Sequence, residues 1–131
     1  MKKLHLNLKR KWFDMILSGE KKEEYREIKG YWANKLLISY PDRKKLNSKL
    51  WNNILRSDKD NYKWLTKNFK DVWYPINFDS ITFSNGYSKD RDQFEIELLG
   101  IEIKEGNPEW GAEKGVKYFV LKLGKLTCST T

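Results

Sequence analysis

A glycine at position 19 divides an apolar helical pattern from a dense mixed-charge run, and that order fixes where a helix stops and a strand begins. Trp12, Phe13, Ile16 and Leu17 recur at helical spacing, which predicts a short helix over about 10–18 with Gly19 placed to stop it. The next stretch, Glu20 to Glu27, carries charges of both signs and reads as a strand over 21–28, closing on Ile28 and broken at Gly30. Alternate residues of a strand share a face, so Glu24 and Arg26 are expected to point together, opposite Tyr25 and Glu27. A carboxylate beside a guanidinium, with Lys21 at the strand entrance, makes a candidate polar site; a solvated strand edge with self-compensating ion pairs is the bland alternative.

The 131 residues fit one domain with a single modest core. Leu4, Leu6 and Leu8 alternate with polar residues, predicting a first half-buried strand over 3–8. After the charged run, Trp32, Leu36 and Leu37 indicate another helix. Residues 41–75 differ in texture, being rich in Lys, Asn and Asp, and their apolar spacing predicts two amphipathic helices at about 43–56 and 60–72. They read as an insertion between strand-rich halves. From Phe78 onward the pattern is β: Ile81 and Phe83 before the turn signal Asn85-Gly86, then Phe94, Ile96 and Leu98 continuing past a bulge at Gly100. A loop over 106–115 and a largely buried strand over 117–124 follow, ahead of a frayed tail over 127–131. The fold expected is α+β, a small closed or nearly closed β-barrel of five to six strands decorated by helices.

The net charge of +8 is unevenly distributed: residues 1–78 hold 19 Lys and Arg against 9 Asp and Glu, whereas residues 79–131 hold 7 against 9. The basic part is compatible with a polyanionic partner and equally with a lysine-rich soluble protein. Six Trp, seven Tyr and six Phe exceed what a minimal core needs, so some rings are expected to line a cleft or serve as stacking platforms. Cys128 is the one cysteine and His5 the one histidine, too few for a thiolate or imidazole metal site, and neither metal nor cofactor is expected. No apolar run approaches about 18 residues, so no membrane association is expected and the cytoplasm is the default compartment.

Three groups of residues are candidates for chemistry. Lys21, Glu24 and Arg26 come first: Arg offers a planar fork for phosphate or carboxylate, and Glu24 can orient a cation or act as a base. Asn85 and Tyr87 offer an amide and a phenol at a strand mouth, although Asn-Gly is most often a hairpin turn. Trp110, in the loop Pro108-Glu109-Trp110-Gly111, either plugs a barrel end or stacks on a ligand.

The stretch Phe13-x-x-Ile16-x-Ser18-Gly19-x-Lys21-x-x-Glu24-x-Arg26 resembles the ASCH family of small domains in the PUA-like superfamily, over roughly residues 3–40 and 78–126. The resemblance implies a β-barrel whose cleft is lined by the Gly-x-Lys-x-x-Glu-x-Arg segment and binds RNA, a nucleotide or a modified nucleoside. Some bacterial members resemble amidohydrolases of acylated cytidine that use a lysine, a threonine and a glutamate. Lys21 matches the lysine, Glu24 occupies the threonine position, and Glu95 and Glu97 are the candidates for the distant glutamate. A carboxylate there removes the hydroxyl nucleophile on which acyl transfer depends. The leading expectation is therefore an RNA- or nucleotide-binding domain engaging its ligand through Lys21, Glu24, Arg26, Asn85, Tyr87 and Trp110. Two alternatives stand beside it: a hydrolase of a modified nucleobase or RNA with Glu24 as base and Lys21 as electrostatic stabiliser, and a module that docks a protein partner through 41–75.

Overall fold

The structure is a computed structural model that describes residues 2–129. Its elements are β1 (Lys3–Asn7), α1 (Arg10–Leu17), β2 (Glu23–Glu27), α2 (Gly30–Leu36), β3 (Leu37–Ser39), α3 (Ser48–Arg56), α4 (Lys63–Asn68), β4 (Trp73–Pro75), β5 (Ser80–Asn85), β6 (Asp92–Glu105), a 3-10 turn (Pro108–Trp110) and β7 (Lys117–Ser129). The fold is α+β, as expected, but the main sheet is not a closed barrel. Its order is β1-β5-β6-β7-β2, a curled half-barrel in which β1 and β2 remain edges. β3 and β4 form a separate two-stranded antiparallel sheet. That sheet is absent from the sequence reading because three-residue strands are too short to show a period. The tail expected to fray from residue 127 belongs instead to β7 as far as Ser129; residues 130 and 131 lie outside the described part.

The chain divides into two compact units, one drawn from 1–24, 77–100 and 121–131, the other from 25–76 and 101–120. The first is organised by pairing register. β1 runs parallel to β5 with Leu4 opposite Ile81 and Leu6 opposite Phe83. β5 runs antiparallel to β6 with Ile81 opposite Ile96 and Phe83 opposite Phe94. Two rows of apolar side chains therefore cross three strands on one face, and all six residues are buried. From α1, Phe13 and Ile16 cover those rows, with the Phe13 and Phe94 rings edge to face at 4.8 Å between centroids. Gly19 ends α1 as the sequence predicts: at φ +87 its N–H donates to the Ile16 carbonyl, a conformation that favours glycine.

Along β6 the buried positions are even-numbered through Leu98 and odd at Ile101, the parity change that one extra residue at Gly100 produces. The Asn85-Gly86 turn is looser than a two-residue hairpin. Asn85 pairs with Asp92, leaving a six-residue connection over 86–91. At its base the Asn85 Nδ2 donates to the Leu8 carbonyl and the Asn7 Nδ2 to the Gly86 carbonyl.

In the second unit, Trp51 is fully buried and meets Trp73 edge to face at 4.7 Å. Residues 41–75 are thus built into this unit's core rather than appended to it, and β4 pairs with β3. The two helices of this stretch are shorter than the apolar spacing predicts, for identifiable reasons. Asn47 caps α3 by accepting from the Leu50 N–H, so the helix begins at Ser48. α4 begins only at Lys63 because Asn61 and Tyr62 both adopt left-handed backbone. In its first turn the Lys63 N–H donates to the Asp60 carbonyl and those of Trp64 and Leu65 to the Asp58 carboxylate.

α2 lies so close to α3 that its first residue must be glycine. A Cβ at Gly30 would collide with the Ser48 carbonyl oxygen and the Asn52 side chain. The Asn52 Oδ1 instead accepts from the Gly30 N–H at 2.7 Å, a cap supplied by a neighbouring helix where Lys29 supplies none. Gly30→Ala is expected to destabilise the protein by about 1–3 kcal/mol in urea unfolding, through overpacking and loss of this cap.

A second prediction concerns acid stability. Ser80 Oγ donates to Glu95 Oε2 at 2.5 Å and Lys3 Nζ reaches Oε1 at 3.2 Å; the hydrogen bond from Ser80 first, then that from Lys3, hold the Glu95 carboxyl below its ordinary pKa. A carboxyl depressed in the folded state stabilises it above the unfolded pKa, about 4.3, and loses that contribution as pH falls through the folded value. Denaturation as a function of pH should show wild type more stable than Glu95→Gln at neutral pH, with the gap closing below about pH 4.

Candidate functional site

The charged motif expected to form one site is divided at Glu24, which belongs to the first unit, and Tyr25, which belongs to the second. In the first unit Lys21 and Glu24 form a buried ion pair, Nζ to Oε1 at 3.0 Å, with the residues 1% and 7% exposed. The Lys21 ammonium also donates to the Glu23 carbonyl and lies 5.5 Å from the centre of the Trp12 ring. Its backbone is anchored too, the Lys21 N–H donating to the Met15 carbonyl. A lysine enters an apolar interior only when charge and hydrogen bonds compensate its lost hydration, and this one has a carboxylate, a carbonyl and an indole face.

In the second unit a cavity of about 710 Å³ is walled by residues from five places in the chain. β2 and its continuation supply Tyr25, Arg26, Glu27 and Lys29, while α2 supplies Trp32. Tyr62 comes from the turn before α4, Gly111 and Glu113 from the loop after the 3-10 turn, and Lys117 and Tyr118 from the start of β7. The lining thus includes four aromatic residues, three cationic ones and two acidic ones.

The rings are held from behind. The Tyr25 hydroxyl accepts from the Asn107 N–H and the Tyr118 hydroxyl from the Glu113 N–H, each at 2.9 Å. Their ring centres are 5.7 Å apart. Gly106 permits the loop's approach, since a Cβ there would meet the Tyr25 ring at 2.6 Å. The Arg26 guanidinium lies 4.9 Å from the centre of the Trp32 ring, which orients its planar fork within the cavity wall. Lys117 Nζ donates to Thr66 Oγ1 at 3.2 Å. Flat rings beside fixed cations suit a planar ligand that carries negative charge.

No family model, curated protein or solved structure matches this chain.

Of the residues singled out from sequence, Arg26 alone is in the wall of this cavity. Asn85 is engaged with the Leu8 carbonyl at the base of its loop. Tyr87, 88% exposed, borders a smaller groove of about 300 Å³ in the first unit together with His5 and Arg91. Trp110 is half-buried in the 3-10 turn, one residue before the cavity-lining Gly111. Within 41–75, the stretch offered for a protein partner, Leu50 and Trp64 are exposed apolar side chains. Sequence reasoning missed Tyr25, Trp32, Tyr62, Lys117 and Tyr118 as a group. The aromatic surplus signalled a ring-lined cleft, but nothing local said which rings share it. No group of three or more His, Cys, Asp or Glu among the described residues is placed to hold a metal ion.

The buried pair makes a sharp prediction for stability. Lys21→Met leaves a carboxylate without its ammonium and should cost about 3–5 kcal/mol, as should Glu24→Gln. The double variant should lose clearly less than the two single losses together, and a double-mutant cycle in urea measures the difference.

Proposed function

We propose that the protein is an RNA- or nucleotide-binding domain of the ASCH, PUA-like kind, and that its ligand occupies the cavity of the second unit. The observation that carries this reading is the cavity lining: the Tyr25, Trp32, Tyr62 and Tyr118 rings with the Arg26, Lys29 and Lys117 cations. Every nucleobase has a π-face that an aromatic ring can stack on, and phosphate is the anion that an Arg fork and a Lys point charge recognise together. The net charge of +8 adds long-range attraction for a polyanion.

The roles divide along the chain. Arg26, oriented by Trp32, engages phosphate or a carbonyl edge of the base. Glu27 and Glu113 supply acceptors for a base amino group or a ribose hydroxyl. Lys21 and Glu24 secure the entry into β2, the strand that carries Tyr25 and Arg26. The resemblance of the Gly-x-Lys-x-x-Glu-x-Arg segment to ASCH domains supports the same assignment, as does its context, a helix stopped by glycine and followed by a strand.

Fluorescence anisotropy with short labelled single-stranded RNA and duplex DNA, at low and physiological salt, tests the reading. Wild type should prefer the single strand, and Arg26→Ala or Trp32→Ala should weaken binding about tenfold or more. With three cations near the ligand, log K against log salt should fall with a slope near −2, about 0.7 per phosphate neutralised. Equal affinity of wild type and both variants would sink the proposal.

A further inference from the structure

The turn that begins α4 has a backbone its sequence does not favour. Asn61 has φ +48 and Tyr62 has φ +60 with ψ +37, two consecutive residues in the left-handed region. Asn tolerates that region; an aromatic residue rarely adopts it, because its Cβ crowds the following carbonyl. Position 62 would be easier to build with Gly or Asn, yet it holds a tyrosine that lines the cavity.

The surrounding contacts hold this geometry in place. Asn61 Nδ2 donates to the Gly115 carbonyl at 3.3 Å, tying the turn to the loop that carries Glu113 and Val116. The Tyr62 carbonyl accepts from both the N–H and the hydroxyl of Thr66, at 2.9 and 2.7 Å. That hydroxyl in turn accepts from Lys117 Nζ. One short turn of the 41–75 stretch therefore positions an aromatic ring and, through Thr66, a cation of the same cavity.

Resting on the reading of this cavity as an RNA or nucleotide site, we infer that the 41–75 stretch is a specificity element of that site. Tyr62 is a ligand-stacking residue, and its strained backbone is retained because the ring contacts a base. The ring supplies the wall contributed by the turn before α4, while Thr66 steers the Lys117 ammonium toward phosphate. The stretch read from sequence as an insertion, with docking of a protein partner as one alternative, is then part of the pocket.

The test uses the full chain and a fluorescein-labelled single-stranded RNA, with anisotropy read for wild type, Arg26→Ala, Tyr62→Phe, Tyr62→Asn and Tyr62→Gly. Asn and Gly both suit a left-handed backbone, so either reports on the ring if the other misfolds, and thermal unfolding checks each variant. Tyr62→Asn and Tyr62→Gly should weaken binding about tenfold or more, with Tyr62→Phe within twofold of wild type, because stacking needs the ring and not the hydroxyl. If Arg26→Ala loses affinity but folded Tyr62→Asn and Tyr62→Gly bind within twofold of wild type, Tyr62 is structural and the inference falls while the cavity reading stands. If wild type does not bind the RNA, both fall together.

Discussion

A lysine ammonium shut away from water beside a carboxylate is the constraint around which this chain is arranged. The Lys21–Glu24 pair is stable only if its partners are held in place, and the local sequence holds them. Gly19 stops α1 in a left-handed turn, the Lys21 N–H returns to the Met15 carbonyl, and Trp12 offers the ammonium its ring face. With the entry so anchored, β2 begins at Glu23, and past Glu24 its residues Tyr25 and Arg26 enter the wall of a cavity. One motif therefore does two jobs. Its first half is structural chemistry in a dry environment, and its second half contributes to the wall of a cavity.

The cavity illustrates how rings are held in place by backbone hydrogen bonds. Two tyrosine hydroxyls accept backbone N–H groups from the loop beyond β6, so the rings are held at their far ends as well as at Cα. A glycine at 106 admits the loop to the Tyr25 ring, and Arg26 lies against Trp32 rather than sweeping through solvent. Preorganisation of this sort lowers the ordering cost of whatever ligand a cavity binds. The 41–75 stretch adds to it, because the turn carrying Tyr62 is tied to the Gly115 carbonyl through Asn61 and to Thr66 through its own carbonyl.

Much of the fold was legible from pattern. The alternation of Leu4, Leu6 and Leu8, the helical spacing of Phe13 and Ile16 and the glycine stop at 19 each reflect a local period or backbone preference, and each element stands where expected. The helix limits in 41–75 were less legible: apolar spacing marks a face but not where a cap or a left-handed turn interrupts it, as Asn47 and Tyr62 do. Barrel closure was beyond reach for a different reason. Whether two edge strands meet depends on the curl and register of the whole sheet, and here β1 and β2 stay apart as edges. The candidate site was legible only in part, through Arg26 and the surplus of aromatic rings.

What the amino-acid sequence determined by itself is local: the strand and helix periods, the stop at Gly19, the basic first three-fifths and the charged motif entering β2. Those follow from backbone preference and side-chain alternation, which act over a few residues. Tertiary structure alone decided that Lys21 and Glu24 share a burial, and that Tyr25, Trp32, Tyr62, Lys117 and Tyr118 share a cavity with Arg26. The reason is physical: desolvation, stacking and the convergence of charges depend on distances between residues far apart in the chain, and packing sets those distances.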